Sequence, residues 1–174
     1  MKKNIVAIVG GGSTWTPGLL KSLCQKKYEF PLEELRLYDI DAERQAVIGE
    51  FAKVLFAEEY PELKFIYSTD KERAYRDADF VFHLAGVNRP KEQSEFMEGN
   101  FGFTSVLLDT LKKHGNSCPV MLSSSIQAEL DNPYGISKKA GEDLLLKYGR
   151  ETGSNVLIYR FPNVFGKWCR PNYN

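Results

Sequence analysis

The opening of the chain constrains its fold more than any other stretch. Residues 5–9 form a short apolar run rich in β-branched side chains, and Gly10, Gly11 and Gly12 follow at once. Such a run bounded by glycines is typical of a buried parallel strand, and Pro17 is a residue favoured in a first helical turn. The pattern therefore predicts a strand, a tight turn and a helix.

The glycine-rich turn suggests a phosphate site. Glycines let a backbone approach a pyrophosphate, and the free N–H groups at the positive end of the helix complement its charge. The pair Gly10-x-Gly12 agrees with the dinucleotide fingerprint, whereas position 15, where that fingerprint has its third glycine, is Trp. A glycine-rich turn without a ligand is the alternative, and the motif by itself leaves both open.

Strand and helix patterns alternate along the rest of the chain. We expect strands at residues 5–9, 35–39, 64–67, 79–86, 120–123 and 156–160, and helices at 17–28, 42–59, 71–76, 93–113 and 134–151. This alternation predicts an α/β fold, a doubly wound Rossmann fold with a six-stranded parallel sheet in the order 3-2-1-4-5-6 and helices on both faces. The apolar stripe predicted to pack helix 42–59 consists of Ala46, Val47, Phe51, Val54 and Leu55.

Composition narrows the class of protein. The 174 residues suit one domain, 1–174, and the 23 basic and 23 acidic residues cancel, which makes nucleic acid and anionic membrane poor partner predictions. The first apolar run is too short for a signal sequence or a membrane span. Cys24, Cys118 and Cys169 lack metal-ligand spacing and fit reduced thiols in the cytoplasm, so we predict no metal site.

Residues 1 to about 80 resemble the NAD-dependent 6-phospho-glycosidases of glycoside hydrolase family four. The resemblance is carried by the stretches 9–18, 30–32 and 37–44. It implies that this region binds NAD through Gly10, Gly12, Ser13, Thr14 and Asp39. The metal and the catalytic base of that family come from later motifs, which have no match here.

Residues from about 79 onward resemble the extended short-chain dehydrogenase/reductases, in particular the reductase domain of capsular polysaccharide synthesis enzymes. The matching stretches are 83–90, 122–128, 131–138 and 159–169. The resemblance implies cofactor contacts from Leu84, Ala85, Gly86, Tyr134, Lys138 and Pro162. It also implies catalytic roles for Tyr134 as acid/base, Lys138 as its partner and Ser125 as the group that orients the substrate oxygen.

The change of resemblance falls at the fourth strand, between the two halves of the predicted sheet. This suggests a recombined or engineered chimera with a half-domain junction near 78–84, and a C-terminal substrate subdomain is expected to be absent. The predicted function is NAD binding with a vestigial reductase site and little turnover. A complete NAD(P)-dependent nucleotide-sugar reductase or epimerase and an inactive structural scaffold are the alternatives.

The sequence allows two interpretations of several individual residues. Tyr134 and Lys138 lie one turn apart on the same helix face, a spacing that is also common in helices without a site. His83 is expected to be an ordinary residue near a strand end, and Asn100 either supports the site or lies on the surface. Asp39, at the tip of strand two, favours NAD over NADP, because its carboxylate can accept bonds from ribose hydroxyls and repels a 2′-phosphate; helix capping is its other interpretation.

Overall fold

One parallel sheet of six strands organises the molecule, in the order β3-β2-β1-β4-β5-β6. The computed structural model describes residues 3–164. Its strands are β1 Asn4–Val9, β2 Leu32–Tyr38, β3 Lys64–Ser68, β4 Phe80–His83, β5 Val120–Ser125 and β6 Val156–Phe161. This order and the parallel pairing confirm the predicted doubly wound fold.

Helices connect the strands on both faces of the sheet. They are α1 Thr16–Gln25, α2 Ala42–Glu59, α3 Lys71–Tyr75, α4 Ser94–Phe96, α5 Phe103–Lys113 and α6 Pro133–Thr152. A π-helical segment, Met97–Gly102, joins α4 to α5, and a 3₁₀ turn, Ile126–Glu129, follows β5. The predicted helix 93–113 is therefore one continuous helical run with a wider turn in its middle, a feature that periodicity did not reveal.

Polar side chains mark several helix starts. The carboxylates of Asp41 and Asp70 accept hydrogen bonds from backbone N–H groups in the first turns of α2 and α3. Asn132 does the same for α6 by accepting from the Gly135 N–H, and α6 ends at Gly153 with φ of +74°. Such caps satisfy the orphan groups of a helix end. Asp41 rather than Asp39 caps α2, so the capping interpretation of Asp39 is wrong.

Strand β1 lies at the centre of the molecule. It pairs with β2 on one side and with β4 on the other, where Val9 stands opposite His83. Main-chain bonds extend this pairing at both ends, from the Asp79 N–H to the Ile5 carbonyl and from the Leu84 N–H to the Val9 carbonyl. Residues predicted to come from two different families are thus joined along a full ladder.

The two faces of the sheet carry separate hydrophobic clusters. One cluster packs alternate residues of β1, β4 and β5, including Val9, Val81 and Val120, against α3, α5 and α6. The other packs the remaining residues of β1 and β2, including Ile8 and Leu35, against α1 and α2. Since both clusters draw on β1, the first half of the chain is part of both cores.

Helix α2 buries a different stripe from the one predicted. Its buried residues are Gln45, Ile48, Gly49, Ala52 and Phe56, while Val47, Phe51 and Val54 are exposed by 71%, 45% and 62%. The ring of Tyr67 occupies the space where a side chain on Gly49 would lie, which turns this face toward β3. Tertiary contact therefore decides the buried face.

Candidate functional site

The predicted site residues lie at the carboxyl ends of β1, β2, β4, β5 and β6 or near the start of α6. This edge includes the switch point between β1 and β4, where the strand order reverses. Ligands of open α/β sheets bind in the crevice outside this edge. The loop after β1 and the loop after β4 form its two nearest walls.

The glycine turn after β1 is held against the neighbouring strands. The N–H groups of Gly10 and Gly11 both donate to the Tyr38 carbonyl at 2.9 Å. Gly10 has φ of +88°, and a β-carbon on it would lie 2.8 Å from the Ala85 nitrogen. Only glycine fits such a conformation and such a close approach, so Gly10 lets the turn pack directly on the loop after β4.

Asp39 holds the same turn through its carboxylate. Its Oδ2 accepts from the Gly12 N–H at 2.9 Å, and its Oδ1 accepts from the Asp41 N–H at 3.0 Å. A carboxylate has about four lone-pair positions, so capacity remains for further donors. Asp39 is partly exposed and directly follows β2, and its binding to a ribose stays a prediction.

The remainder of the turn accommodates Trp15 without distortion. Trp15 has helical φ and ψ of −82° and −21° and is 65% exposed, so a third glycine is not required at this position. Thr14 is exposed and Ser13 half-buried, whereas the Thr16 hydroxyl is buried without a hydrogen-bond partner among the described residues. An unpartnered buried hydroxyl at a helix start provides a further polar group for a ligand.

The loop after β4 is fixed by Asn100, which lies in the π-helical segment and is 4% exposed. Its Oδ1 accepts from the Val87 N–H, and its Nδ2 donates to the Val87 carbonyl and to Ser137 Oγ at 2.9 Å. The surface interpretation of Asn100 is therefore wrong. The same side chain leaves little room beside Gly86, where an added β-carbon would lie 2.8 Å from Oδ1.

Lys138 approaches the same loop from α6. Its ammonium is largely buried, donates to the Ser123 carbonyl at 2.9 Å and would lie 3.5 Å from a β-carbon on Gly86. Burial lowers the pKa of Lys138 to about 8, and Glu142 opposes part of that shift. A lysine with a pKa near neutrality exchanges its proton readily, which suits a group beside a proton-transfer site.

His83 is fully buried behind this lysine. Its Nε2 lies 2.9 Å from Thr104 Oγ1, and that hydroxyl donates its proton to the Asn100 carbonyl. The hydroxyl must therefore accept from His83, which places the imidazole proton on Nε2. Burial and the Lys138 charge lower the pKa of His83 to about 3. The ring is neutral at ordinary pH and supports Asn100 from within the core. The position of His83 near a strand end did not predict this supporting role.

The other predicted residues lie around this centre. Ser125 ends β5, and its hydroxyl accepts from the Gln127 N–H at 3.2 Å. Tyr134 is partly buried at the start of α6, with its ring 5.6 Å from that of Phe96. Pro162 follows β6 and is exposed. These roles remain predictions.

Arg36 is engaged elsewhere. It pairs with Glu34 at 2.8 Å and donates to the carbonyls of Arg73 and Ala74 at the end of α3. Such bonding satisfies the C-terminal carbonyls of a short helix. Arg36 is therefore unavailable to offset the repulsion between Asp39 and a 2′-phosphate, whereas the β-carbon of Arg44 lies beside Gly12 in the same turn.

The fold and this sheet edge define a Rossmann domain of the dinucleotide-binding class. Two family models match the chain: one described as family 4 glycosyl hydrolase over residues 5–113, and one described as male sterility protein, an NAD-binding family, over residues 87–173. Each match spans half of the chain or more, so the chain belongs to both families, each through a different part of its length. No helix within residues 3–164 is long and apolar enough to cross a membrane.

A curated relative supports the second part of the chain. UDP-2-acetamido-2,6-beta-L-arabino-hexul-4-ose reductase of Pseudomonas aeruginosa is 52% identical over 99 residues, which are 57% of this chain and 27% of that protein. The chain therefore spans about a quarter of the relative's length.

Solved structures match both resemblances. A 6-phospho-alpha-glucosidase from gut microorganisms, in complex with NAD and Mn²⁺, is 32% identical with a TM-score of 0.65 and covers 90% of this chain and 38% of its own. The capsular polysaccharide assembling protein CapF of Staphylococcus aureus is 36% identical with a TM-score of 0.61 and covers 98% and 38%. Both predicted resemblances are confirmed, and NAD is the cofactor present in the glucosidase structure.

The family matches overlap where the sequence predicted an abrupt change. The hydrolase match continues to residue 113, beyond the predicted junction near 78–84, and the second match begins at residue 87. The shared stretch, residues 87–113, includes most of the loop after β4 and the helical run to Lys113. Both family models match the same loop and helix there.

Proposed function

We propose that this chain is an NAD-binding Rossmann domain, a chimera whose first half has the hydrolase type of phosphate turn and whose second half has the reductase type of site. One observation carries the proposal: Gly10 and Lys138 flank the same short backbone segment, Ala85-Gly86. Gly10 packs on Ala85 and the Lys138 ammonium lies beside Gly86. Residues from both halves thus meet at the switch point, where ligands of open α/β sheets bind.

The residues present fit a dinucleotide. The Gly10–Gly12 turn has no side chain that would keep a pyrophosphate from its backbone, the Thr16 hydroxyl has no hydrogen-bond partner among the described residues, and Asp39 retains acceptor capacity for ribose hydroxyls. Lys138 would reach the nicotinamide ribose from the other side. When bound, NAD would supply the hydride acceptor or donor, and the protein would supply its position.

We expect NAD to bind more tightly than NADP. A 2′-phosphate would bring nearly two negative charges beside Asp39, and one unit-charge repulsion at about 4 Å is of order 4 kcal/mol at an effective dielectric of about 20, before relaxation. Arg36 cannot compensate, because Glu34 and the end of α3 hold it.

Calorimetric titration of NADH and NADPH tests this preference. Asp39→Ala should narrow the difference between the two cofactors, while Asp41→Ala, which removes a neighbouring carboxylate and a helix cap, should leave it unchanged. Equal affinities in the wild type, or tighter NADPH, would refute the preference. Failure to bind either cofactor would refute the proposed function itself and would favour the structural scaffold.

We further propose that the 174 residues alone turn over substrate very slowly. Three quarters of the reductase relative has no counterpart in them, and loss of substrate positioning removes many powers of ten in rate. The candidate acid/base, Tyr134, would then be present without a positioned substrate. The reduced thiols Cys24 and Cys118 are in keeping with a cytoplasmic protein.

A nucleotide-sugar reductase is the second candidate function. The buried group of Asn100, Ser137 and Lys138 favours it, as does the similarity to the reductase of Pseudomonas aeruginosa. Oxidation of NADH or NADPH by a UDP-linked 4-keto sugar, measured by the loss of reduced-cofactor absorbance, separates the two proposals. Turnover that Tyr134→Phe abolishes would establish the reductase, whereas an unchanged background rate in both proteins supports the binding domain.

A further inference from the structure

Two buried side chains of opposite charge lie one turn apart on α6. Lys138 is 8% exposed and Glu142 is 3% exposed. Residues four apart on a helix share a face, and charged side chains are almost never fully buried unless they are paired. Within residues 3–164 no ion pair at bonding distance joins these two residues, so other contacts must hold each of them.

Strand β5 holds both side chains through two consecutive residues. The Lys138 ammonium donates to the Ser123 carbonyl at 2.9 Å, and the Ser124 hydroxyl donates to the Glu142 carboxylate at 2.6 Å. An ammonium has three N–H groups. Among the described residues the Ser123 carbonyl is the one hydrogen-bond acceptor for Lys138, so two of these N–H groups remain for a ligand.

The Glu142 carboxylate is held from a third element, β6. Arg160 stands opposite Ser124 in the β5–β6 pairing and therefore points to the same side of the sheet, toward α6. Its Nε and Nη2 donate to the two carboxylate oxygens at 2.9 Å and 2.6 Å. Burial raises the pKa of Glu142, but the bonds from Arg160 and Ser124 outweigh burial and the pKa is lowered. A fixed, ionised carboxylate thus lies one turn from Lys138.

The other ionisable groups around Lys138 add no further charge beside it. His83, fully buried on β4, is neutral because its pKa is about 3. The phenol of Tyr134 lies one turn earlier on the same face of α6. Lys139 and Asp143 pair with each other on the exposed part of α6. The charge beside Lys138 is therefore set by the carboxylate and the guanidinium described above.

We propose that Glu142 is a positioning residue for the cofactor site: its carboxylate keeps the neighbouring Lys138 amine protonated, and Arg160 limits that effect. The inference rests on the proposed NAD site, to which Lys138 would offer its two remaining N–H groups. Hydrogen bonds from an ammonium to ribose hydroxyls are stronger than those from a neutral amine. Glu142 acts through Lys138, since its own carboxylate is enclosed by β5, β6 and α6.

The two partners act on Lys138 in opposite directions. Loss of the Glu142 charge disfavours the ammonium and leaves the positive charge of Arg160 unbalanced, so the pKa of Lys138 falls. Loss of the Arg160 charge leaves the carboxylate unbalanced, so the pKa of Lys138 rises. A pair with a structural role alone would behave differently, because breaking it from either side loosens the same three elements and changes the burial of Lys138 in the same direction.

Titration of the Lys138 amine in the cofactor-free protein, followed by heteronuclear NMR of the lysine side chains, tests the proposal. The wild-type midpoint should lie at about 8. Glu142→Gln should lower the midpoint by about one pH unit, and Arg160→Met should raise it. Glu129→Gln is the matched control, because Glu129 pairs with the same Arg160 but is 75% exposed, and it should leave the midpoint unchanged. Circular dichroism establishes that each variant is folded.

A charge-conserving variant separates charge from packing. Arg160→Lys keeps the positive charge and should give a midpoint closer to the wild type than Arg160→Met does. An unchanged Lys138 midpoint in Glu142→Gln would overturn the proposal. Movement of the midpoint in the same direction in Glu142→Gln and Arg160→Met would also overturn it, because the pair would then act on Lys138 through burial.

The pH dependence of NADH binding is the second readout. If NADH binds the ammonium form of Lys138, a midpoint lowered by about one pH unit weakens binding at pH 8 about fivefold in Glu142→Gln. Equal pH dependence in Glu142→Gln and the wild type would contradict the role in the cofactor site. Failure of the wild type to bind NADH would refute the proposed NAD site itself, and the amine titration would still decide whether Glu142 acts on Lys138.

Discussion

His83 couples the interior of the protein to the solution pH. It is fully buried and neutral, with its pKa lowered to about 3 from an ordinary 6.5. The unfolded chain therefore binds a proton at this residue in a pH range where the folded chain does not. The contribution of His83 to stability is complete above pH 6.5 and is lost as the pH falls toward 3.

We predict that the free energy of unfolding decreases by about 1.5 kcal/mol between pH 6.5 and pH 5. His83→Gln, which can still donate to Thr104, should remove most of that decrease. Urea denaturation at several pH values measures how the free energy of unfolding of the wild type and of the variant depends on pH. The carboxylates with lowered pKa, including Glu34 and Glu142, titrate below this window. A decrease of equal size in the variant would contradict the assignment to His83.

Gly10 shows how one residue position sets the geometry of the crevice. Its positive φ and the closeness of the Ala85 backbone leave no room for a side chain. We predict that Gly10→Ala lowers the free energy of unfolding by about 1–3 kcal/mol and weakens NADH binding, because the loop after β4 has to move. Thermal denaturation and cofactor titration measure the two effects.

Gly18 is the matched control for this substitution. It lies within α1 with no atom within 4 Å of an added β-carbon. Gly18→Ala should therefore stabilise the protein by about 0.5–1 kcal/mol through helix propensity. If the two alanine variants behaved alike, the close approach of Gly10 to Ala85 would not matter for folding.

At the scale of elements, an ion pair between the partly exposed Arg160 and the buried Glu142 connects β6 to α6. Arg160 donates to both carboxylate oxygens of Glu142, at 2.9 Å and 2.6 Å, and Ser124 of β5 donates to the same carboxylate. The Glu142 side chain is 4% exposed, and the Arg160 contacts help to lower its pKa despite burial. This network holds three elements of the second half in register.

We predict that Arg160→Met destabilises the protein by about 2–4 kcal/mol, because it leaves Glu142 buried without its partner. The double variant Arg160→Met/Glu142→Met should recover a large part of that loss. Chemical denaturation of the single and double variants, compared in a double-mutant cycle, measures these changes in the free energy of unfolding. Arg160 also pairs with the exposed Glu129, so Glu129→Gln is the control and should cost less than about 1 kcal/mol. If Arg160→Met were as stable as Glu129→Gln, the pair of Arg160 and Glu142 would contribute little to stability.

At the scale of the whole molecule, the two halves form one core. Ala7 and Val9 of β1 belong to the same cluster as Val81, Val120 and Leu145. The Asp79 carboxylate, next to the predicted junction, accepts from the Ile5 N–H at 2.9 Å. Neither half can bury its side of β1 or β4 alone.

We therefore predict a single cooperative unfolding transition. Amide hydrogen exchange should give β1 and β5 the same free energy of opening, since each depends on the β1–β4 ladder. Native-state exchange monitored by NMR measures this strand by strand. Exchange of β1 and β2 at a much lower free energy than β5, or a broad thermal transition with strong dye binding, would indicate that the halves do not share a well-packed core.

Local sequence patterns predicted most of the elements because strand and helix signals depend on near neighbours. The apolar run at residues 5–9, Pro17 in the first turn of α1, and the segment 42–59 all lie in the predicted elements, with bounds that differ by a few residues. Strand four is shorter than predicted, and Leu84, Ala85 and Gly86 belong to the loop that follows it. The resemblances added the site residues, which spacing alone left open.

Features that depend on distant contacts were not predicted. Periodicity placed Val47, Phe51 and Val54 in the core, whereas the Tyr67 ring packs on the other side of α2, at Gly49. A lone Asn100 in a helical pattern gives no indication of a π-helical turn or of its bonds to Val87 and Ser137. Which face of a helix is buried depends on residues that are distant in the sequence. A local pattern contains no information about those residues.

The sequence by itself determined the order of strands and helices, the glycine turn, and an acid at the tip of the second strand, because each of these follows from a few adjacent residues. Only the tertiary structure placed Gly10 against Ala85 and Lys138 beside Gly86. That placement results from the parallel pairing of β1 with β4 and of β4 with β5, which joins segments separated by tens of residues. Long-range pairing of this kind is stabilised by the shared core, so the crevice exists only once the whole sheet has formed.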